Sequence, residues 1–249
     1  MTSKANTTLI CPPQVLAFEK PASRCDLCSV LNYTVCGGLS AEELTQFGAA
    51  TKPVYLAEGG RLLYEGDIDR LVFTVTSGCL KSYKQLADGR RQITGFYFPG
   101  DFIGLVQSDK YLADVEAVTD SGVCQMQRSD LNILSKDIPN IEHRLYDLTS
   151  DALAKLQGQI ILLGRKNAKE RVATFILMLS KRAFERGVVS NPVNLPMNRE
   201  DIADFLGVTT ETVSRTFSAL RKLNIIGPDV DRTVKIIDRK ELERIAEGP

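Results

Sequence analysis

The sequence predicts an α+β fold in which an N-terminal antiparallel β-roll is followed by a long helix and a small, mainly helical C-terminal domain. Three observations predict this order. Short apolar runs separated by turn residues come first, an apolar period of three or four residues follows, and two short capped helices precede a pair of strands. The 249 residues suffice for more than one hydrophobic core.

Residues 1–38 form a cysteine-rich segment that precedes the predicted β-roll. The segment holds four of the six cysteines, of which Cys11 is most simply a tail thiol before two prolines. It lacks the apolar core of a signal peptide, and no apolar stretch in the chain approaches the roughly 20 residues that cross a bilayer. We therefore expect a cytoplasmic protein without membrane contact, whose thiols are reduced or bound to metal.

Residues 39–130 are predicted to form the β-roll, of the jelly-roll kind. Turn signals recur roughly every eleven residues around apolar runs such as 71–75 and 93–98. Strands do not alternate with helices in this region, which argues against a parallel sheet. The turns are marked by glycines at Gly60, Gly66, Gly78, Gly89 and Gly100.

Residues 131–165 carry apolar side chains three or four residues apart and are predicted to form a dimerisation helix. A long single helix between two compact regions cannot cover its own apolar stripe, so we expect a second copy of the chain to pair with it. The alternative is that the helix packs on its own β-roll. The predicted homodimer interface consists of Ile141, Leu145, Leu148, Ala152, Leu156, Gln159 and Leu163.

Residues 166–249 are predicted to form a winged helix-turn-helix domain. A helical stretch over 168–186 opens it. Asn198 then stands three residues before Asp201, which is the spacing of an N-cap and its N3 partner, so a helix is expected to start there. Gly207 ends that helix, since glycine permits the tight turn that this motif needs.

A second helix of this domain is expected to be capped by Thr209 or Thr210 and to run to about Leu223. The residues that follow, 225–237, are predicted to form a β wing with a turn at Pro228 and the adjacent aspartate. Together the two helices and the wing give the order of a helix-turn-helix DNA-binding unit.

The second helix presents a polar face that we predict contacts bases in a DNA major groove. Glu211, Ser214 and Arg215 share one face at helical spacing, while Val213 and Phe217 lie on the other. Arginine can donate two hydrogen bonds to guanine, glutamate can accept from cytosine, and serine can bond a base edge or a phosphate. The alternative is that Glu211 and Arg215 form an ordinary surface ion pair.

The charge distribution agrees with a double-stranded DNA partner for the C-terminal part. The whole chain has a formal net charge of zero, with 31 basic and 31 acidic residues. Residues 165–249, however, contain 16 lysines and arginines against 12 aspartates and glutamates. The excess of positive charge is modest, and a solvated surface would explain it equally well.

The cysteine spacing predicts a metal site. Cys25, Cys28 and Cys36 lie together before the β-roll, and Cys124 lies near its end. Two thiols separated by two residues can bind one centre, and thiolates favour zinc or iron-sulfur clusters. The residues alone leave a structural zinc ion and a cluster equally open. Cys79, in an apolar run beside a glycine, is predicted to be a small core residue.

A family resemblance becomes specific at the helix-turn-helix. Residues 199–215, with the sequence Glu-x-x-Ser-Arg at their end, resemble the Fnr branch of the Crp/Fnr superfamily of bacterial regulators. Residues 92–96, 99–101 and 162–168 resemble the same branch. The resemblance implies a cyclic-nucleotide-binding-like roll, a homodimer that binds palindromic TTGAT-like sites, RNA polymerase as a partner, and no enzymatic activity.

The same resemblance implies how the cysteines are used. Three clustered N-terminal cysteines and one at the end of the roll resemble the ligand set of an oxygen-labile [4Fe-4S] cluster, so Cys25, Cys28, Cys36 and Cys124 are the implied ligands. By this analogy an intact cluster favours the dimer and DNA binding, and oxygen reverses both. Zinc in the same site is the alternative cofactor.

Two positions depart from the enteric members of the branch. Arg90 stands where they carry an acidic residue on a surface that touches RNA polymerase, which argues against activation through that contact. Leu156 stands where they carry an acidic helix residue, so we expect a tighter dimer here.

Other effectors and other activities are less favoured. A cyclic nucleotide would need an arginine for its phosphate, but none occurs between Arg91 and Arg128, and Gly104 is followed by Leu105 rather than a glutamate. A haem would need an axial ligand, and the single histidine, His143, is predicted on the long helix. One histidine and no nucleophile motif also leave little for catalysis.

Overall fold

The computed structural model describes Cys25 and residues 28–248, so Cys11 and most of the predicted N-terminal segment lie outside the described residues. A short 3-10 helix over Leu31–Tyr33 comes first, followed by α1 over Ala41–Ala49. Ser40 and Glu43 form a capping box at the start of α1, in which each side chain bonds the other's backbone N–H.

The β-roll consists of two four-stranded antiparallel sheets, ordered β1-β8-β3-β6 and β2-β7-β4-β5. Alternating residues of facing strands, such as Phe73, Leu80 and Val123, bury their side chains between the two sheets. The predicted fold class is therefore confirmed. The strands are β1 Thr51–Leu56, β2 Arg61–Leu63, β3 Leu71–Ser77, β4 Leu80–Gln85, β5 Arg91–Tyr97, β6 Phe102–Ile103, β7 Asp114–Ala117 and β8 Ser121–Gln127.

Two helices, where one was predicted, follow the roll: α2 over Arg128–Asp137 and α3 over Pro139–Arg165. The predicted dimerisation helix over 131–165 is therefore corrected, since the long helix begins at Pro139. The physical reason is the proline, which fixes the first helical position of α3 and holds Ile138 before it in an extended conformation.

The face of α3 that carries the predicted dimer interface packs largely on this chain itself. Ile141 is 0% exposed and lies in a core with Val35 and Phe47, so the prediction that it faces a second copy is wrong. Leu145 and Leu148 pack against the same core. The alternative of a helix packed on its own roll thus describes the first half of α3.

Near its end α3 packs on its own C-terminal domain. Leu163 packs against the core of that domain, and the amide of Gln159 donates to the carbonyl of Phe205 at 3.1 Å. Of the predicted interface, Ala152 is half-buried and Leu156 remains 53% exposed. The exposed apolar side chains of α3 are Tyr146, Leu153, Leu156, Ile160 and Ile161.

The C-terminal domain has the predicted winged helix-turn-helix architecture, with a three-stranded sheet of order β10-β11-β9. Its first helix covers the predicted stretch and begins with a capping box at Asn167. Its elements are α4 Ala168–Glu185, β9 Val193–Asn194, α5 Arg199–Leu206, α6 Thr210–Lys222, β10 Ile226–Val230, β11 Thr233–Ile236 and α7 Arg239–Glu247.

The wing turn lies three residues later than predicted. Asp231 and Arg232 have positive φ angles of 49° and 57° and connect β10 to β11, as a two-residue hairpin turn requires. Pro228 lies within β10, an edge strand, at a register shift between Ile226 and Asp229. A proline is tolerated there because no partner needs its missing N–H.

A continuous core joins the β-roll to the C-terminal domain. The rings of Phe96 on β5, Phe175 on α4 and Phe205 on α5 lie with centroids 5.3–6.2 Å apart. Ile93 of the roll belongs to the same buried cluster. The two parts therefore share apolar packing, and within the described part of the chain no helix is long and apolar enough to span a membrane.

Candidate functional sites

The helix-turn-helix forms through the local signals that the sequence predicted. The side chain of Asn198 caps α5 by accepting from the N–H of Asp201 at 2.7 Å. Gly207 ends α5 with φ 62° and ψ 41°, a left-handed conformation that favours glycine. Thr209, the first of the two threonines proposed as caps, accepts from the N–H of Thr212 and starts α6.

Helix α6 has one buried and one exposed face. Val213, Phe217 and Leu220 are almost completely buried in the core of the domain. Glu211 and Arg215 lie on the outer face with side chains 75% and 73% exposed, and Ser214 beside them is exposed. The structure therefore brings the three predicted DNA-contacting residues together on one accessible surface.

Glu211 and Arg215 also make the ion pair that was the alternative interpretation. Arg215 Nη1 lies 3.6 Å from Glu211 Oε1 across one helical turn. An exposed pair of this kind stabilises a helix by only roughly a few tenths of a kcal/mol. The contact is therefore weak enough to be exchanged for hydrogen bonds to bases.

Sequence reasoning missed Arg199, which braces this site. Its guanidinium lies 3.5 Å from the centroid of the Phe217 ring and makes an ion pair with Asp229 of the wing. Burial lowers the pKa of Arg199, and Arg221 adds to that effect. The side chain thus links α5, the recognition helix α6 and the wing, although nothing in the local sequence marked it.

The thiol site is built from one turn and one strand. The N–H of Cys28 donates to the carbonyl of Cys25 at 3.1 Å, which closes a tight turn, and Cys36 follows after the 3-10 helix. Cys124 lies on β8, between β1 and β3 in its sheet. Cys36 and Cys124 are half-buried.

The four predicted ligand thiols lie close enough to affect one another's ionisation. Burial is the main cause that raises the pKa of Cys36 to about 12; a hydrogen bond with Thr34 opposes it, and Cys124, Cys25 and Cys28 contribute smaller increases. Burial, and then Cys28, raises the pKa of Cys124. Burial at Cys36 therefore favours the neutral thiol over the thiolate.

Among Cys25 and residues 28–248, no group of three or more histidine, cysteine, aspartate or glutamate side chains is arranged to hold a metal ion. The fifth described cysteine, Cys79, is 1% exposed in the shared core, as predicted for a core residue. Binding of a cation by the four thiols would require their deprotonation.

The loop between Cys28 and Cys36 contacts both the long helix and the C-terminal domain. Arg144 of α3 donates to the carbonyls of Asn32 and Thr34 at 3.4 and 3.2 Å. The hydroxyl of Tyr33 donates to the carbonyl of Arg186, just after α4, at 3.1 Å. Sequence reasoning missed these contacts because each joins residues more than a hundred positions apart.

Gly104 lies in the turn where a cyclic-nucleotide site was considered. The guanidinium beside it belongs to Arg128 and is already paired. Arg128 donates to the carbonyl of Gly104 at 2.9 Å and makes an ion pair with the buried Asp69 at 2.7 Å. A neutralised arginine is poorly suited to a phosphate. His143 lies on α3 with its side chain 78% exposed, away from the interior of the roll.

Comparison with protein families finds two matches, one in the β-roll and one in the C-terminal domain. Residues 53–137 match the cyclic nucleotide-binding domain, and residues 170–245 match the Crp-like helix-turn-helix domain. The first covers most of the β-roll together with α2. The second covers most of α4, then α5, α6 and the wing, and most of α7.

Similar proteins extend over nearly the whole chain. The nitrogen fixation regulation protein FixK of Bradyrhizobium diazoefficiens is 34% identical over 94% of this chain and 98% of its own length. The transcriptional activatory protein AadR of Rhodopseudomonas palustris is 35% identical over 90% and 93%. The solved structure of FixK2 from Bradyrhizobium japonicum is 35% identical, with a TM-score of 0.72 over 78% of this chain and 96% of that one.

Proposed function

Since the chain belongs to the Crp/Fnr family of DNA-binding transcription regulators, we propose that it is an oxygen-responsive member that binds palindromic TTGAT-like sites as a homodimer. The observation that carries the DNA-reading part is the exposed face of α6, where Glu211, Ser214 and Arg215 lie together. Its relatives are regulators rather than enzymes, in agreement with the absence of catalytic motifs expected from the sequence.

In this proposal each recognition helix reads one half-site. Arg215 donates two hydrogen bonds to a guanine, Glu211 accepts from a cytosine, and Ser214 bonds a base edge or a phosphate. RNA polymerase is the proposed second macromolecular partner. At the tip of the β4–β5 hairpin, where Arg90 is 77% exposed, the surface carries a cation paired with Asp88, so we place the polymerase contact elsewhere.

The exposed side of α3 supports a homodimer interface different from the one first predicted. Tyr146, Leu153 and Ile160 recur at seven-residue spacing, and Leu156 falls between the last two. This is the a/d pattern of a two-stranded coiled coil, with Ile160 71% exposed in the single chain. We propose that the second copy covers this stripe, while Ile141 stays inside the protomer.

A variant pair tests this interface. Ile160→Glu places a charge in the proposed seam, and Ile133→Glu places the same charge on α2, where Ile133 is 59% exposed outside the stripe. In sedimentation velocity we expect Ile160→Glu to shift the protein towards monomer and Ile133→Glu to leave the dimer intact. A monomeric native protein, or equal behaviour of both variants, would contradict the interface.

The four thiols support the sensing part of the proposal. Their donor chemistry fits an iron-sulfur cluster, since such clusters are held by four thiolates. Cys25, Cys28, Cys36 and Cys124 would hold it, and it would supply an oxygen-labile link between the N-terminal segment and β8. Cys36 packs against the core that contains Ile141 of α3. A displacement of Cys36 on loss of the cluster would therefore alter the packing of α3 directly.

Iron and sulfide quantification on anaerobically purified protein, followed by DNA binding before and after air, tests the sensing part. We expect iron, sulfide and tight binding before air and weak binding after it. Cys36→Ala should abolish the iron content, and the matched variant Cys79→Ala should keep it, since Cys79 lies in the core away from the site. Zinc in place of iron, or binding unchanged by air, would contradict oxygen sensing.

A further inference from the structure

The first helix of the helix-turn-helix is attached to the β-roll by buried ion pairs. Lys81 of β4 places its Nζ 2.8 Å from Asp201 Oδ1 of α5 and 3.2 Å from Glu116 Oε1 of β7. The side chains of Lys81 and Asp201 are only 8% and 3% exposed. The pair therefore joins the two parts of the molecule in an environment that excludes most water.

A second set of contacts from β5 reaches the same helix. Arg91 makes ion pairs with Asp204 at 2.8 Å and with Asp201 at 3.1 Å. The amide of Gln92 donates to the carbonyl of Asp204 at 2.7 Å. Asp201 is thus shared by two cations of the roll, and α5 is held along one side by strands β4 and β5.

Attachment of α5 also fixes the recognition helix. Helices α5 and α6 pack together through Phe205, Phe217 and their neighbours in one buried cluster. At the end of α5, Arg171 donates to the carbonyl of Leu206 at 2.7 Å and to that of Leu163 on α3 at 2.9 Å. The direction of α6 relative to the roll and to α3 is therefore set at two separate points.

We propose that Lys81 and Asp201 are positioning residues that set the separation of the two recognition helices in the dimer, and so the half-site spacing that the protein accepts. The inference rests on the proposed function as a dimeric DNA-binding regulator. Neither residue touches DNA, because both are buried between α5 and the roll. A buried ion pair is suited to this role because a small displacement removes its attraction while its desolvation cost remains.

The test compares binding to three DNA probes: the palindrome, the palindrome with one base pair added between its half-sites, and a single half-site. An added base pair moves one half-site by about 3.4 Å and rotates it by about 34°. We expect the native protein to lose at least about tenfold in affinity for the lengthened palindrome.

Lys81→Met should reduce that loss to less than about threefold, with weaker binding to the original palindrome and unchanged binding to the half-site. Lys84→Met is the control on the same strand, since Lys84 makes an exposed ion pair with Glu65 of the roll at 2.8 Å and does not contact α5 through it. We expect the control to behave as the native protein does. Lys81→Arg should largely restore spacing discrimination, because a guanidinium can pair with the same carboxylates.

Asp201→Asn keeps the test decisive if Lys81→Met fails to fold. It preserves the side-chain shape, and it leaves Lys81 paired with Glu116 and Arg91 paired with Asp204. It should lose spacing discrimination in the same way. Folded variants that discriminate spacing as the native protein does would overturn the inference, whereas native protein that binds none of the probes would overturn the proposed function instead.

Discussion

The recognition motif and the thiol site of this protein are assembled in opposite ways. The motif from Asn198 to Leu223 is one continuous stretch whose caps and turn are made by near neighbours. The thiol site needs Cys124 from a central strand and is held by Arg144 and by the backbone of Arg186. The helix-turn-helix is therefore encoded by residues close together in the sequence, whereas the thiol site forms only when several distant segments meet.

The two regions also differ in the reach of the contacts that shape them. Local caps start the two helices of the motif. The thiol site has long-range contacts instead, since Tyr33 and Arg144 connect the loop between Cys28 and Cys36 to the C-terminal domain and to α3. We expect variants in the two regions to affect DNA binding and thiol chemistry separately.

The largest effect should come from the core that the two parts share. Phe205→Ala removes a ring that contacts Phe96 of the roll and Phe175 of α4, and such truncations cost about 3–5 kcal/mol of unfolding free energy. During urea denaturation, the helical circular dichroism signal should be lost and the Cys36 thiol should become reactive in one and the same transition.

The control for this prediction is Phe184→Ala, which removes a ring that is 75% exposed on α4 and should cost little. If far-ultraviolet circular dichroism and thiol reactivity gave two well-separated transitions for Phe205→Ala, the two parts would be independent and the shared core would not couple them.

A smaller effect is expected at the recognition helix. Arg215→Ala should weaken DNA binding by about 1–3 kcal/mol and relax specificity at one base pair, while leaving the iron content unchanged. Arg244→Ala is the matched control, because Arg244 also forms an exposed intrahelical ion pair, with Glu241 on α7. Equal and negligible losses in a binding titration would favour the ion-pair interpretation of Glu211 and Arg215.

The smallest effect should come from the contact between the loop that joins Cys28 to Cys36 and the C-terminal domain. Tyr33→Phe removes only the hydroxyl that donates to Arg186, a bond worth about 0.5–1.5 kcal/mol. The change in DNA affinity on air exposure should shrink by roughly two- to tenfold. Tyr55→Phe, on an exposed face of β1, should leave that change as it is; an identical response of both variants would refute transmission through Tyr33.

The sequence was sufficient where structure follows from adjacent residues. Asn198, Gly207 and Thr209 have the cap and turn roles that their positions predicted, and Cys79 is in the core. The predicted position of the wing turn was wrong because a proline followed by an aspartate, as at Pro228, is common in turns. A turn at Asp231 and Arg232, with both residues in the left-handed region, is rarer and left no clear mark in the sequence.

The long helix shows where the sequence was insufficient. Ile141 and Ile160 are equally apolar and both fit a helical period, yet one is fully buried within the protomer and the other is 71% exposed. Periodicity identifies the apolar faces of a helix but carries no information about which of them the same chain covers. That choice depended on where the roll and the C-terminal domain pack against α3.

The order of the elements, the caps of the helix-turn-helix and the residues on the outer face of α6 therefore follow from the sequence, because they depend on bonds within one or two helical turns. Long-range packing, in contrast, determines which side of α3 stays exposed, brings the four predicted ligand thiols within electrostatic reach of one another, and places Lys81 beside Asp201. Each of these joins distant residues, and the packing of every intervening element determines whether they meet.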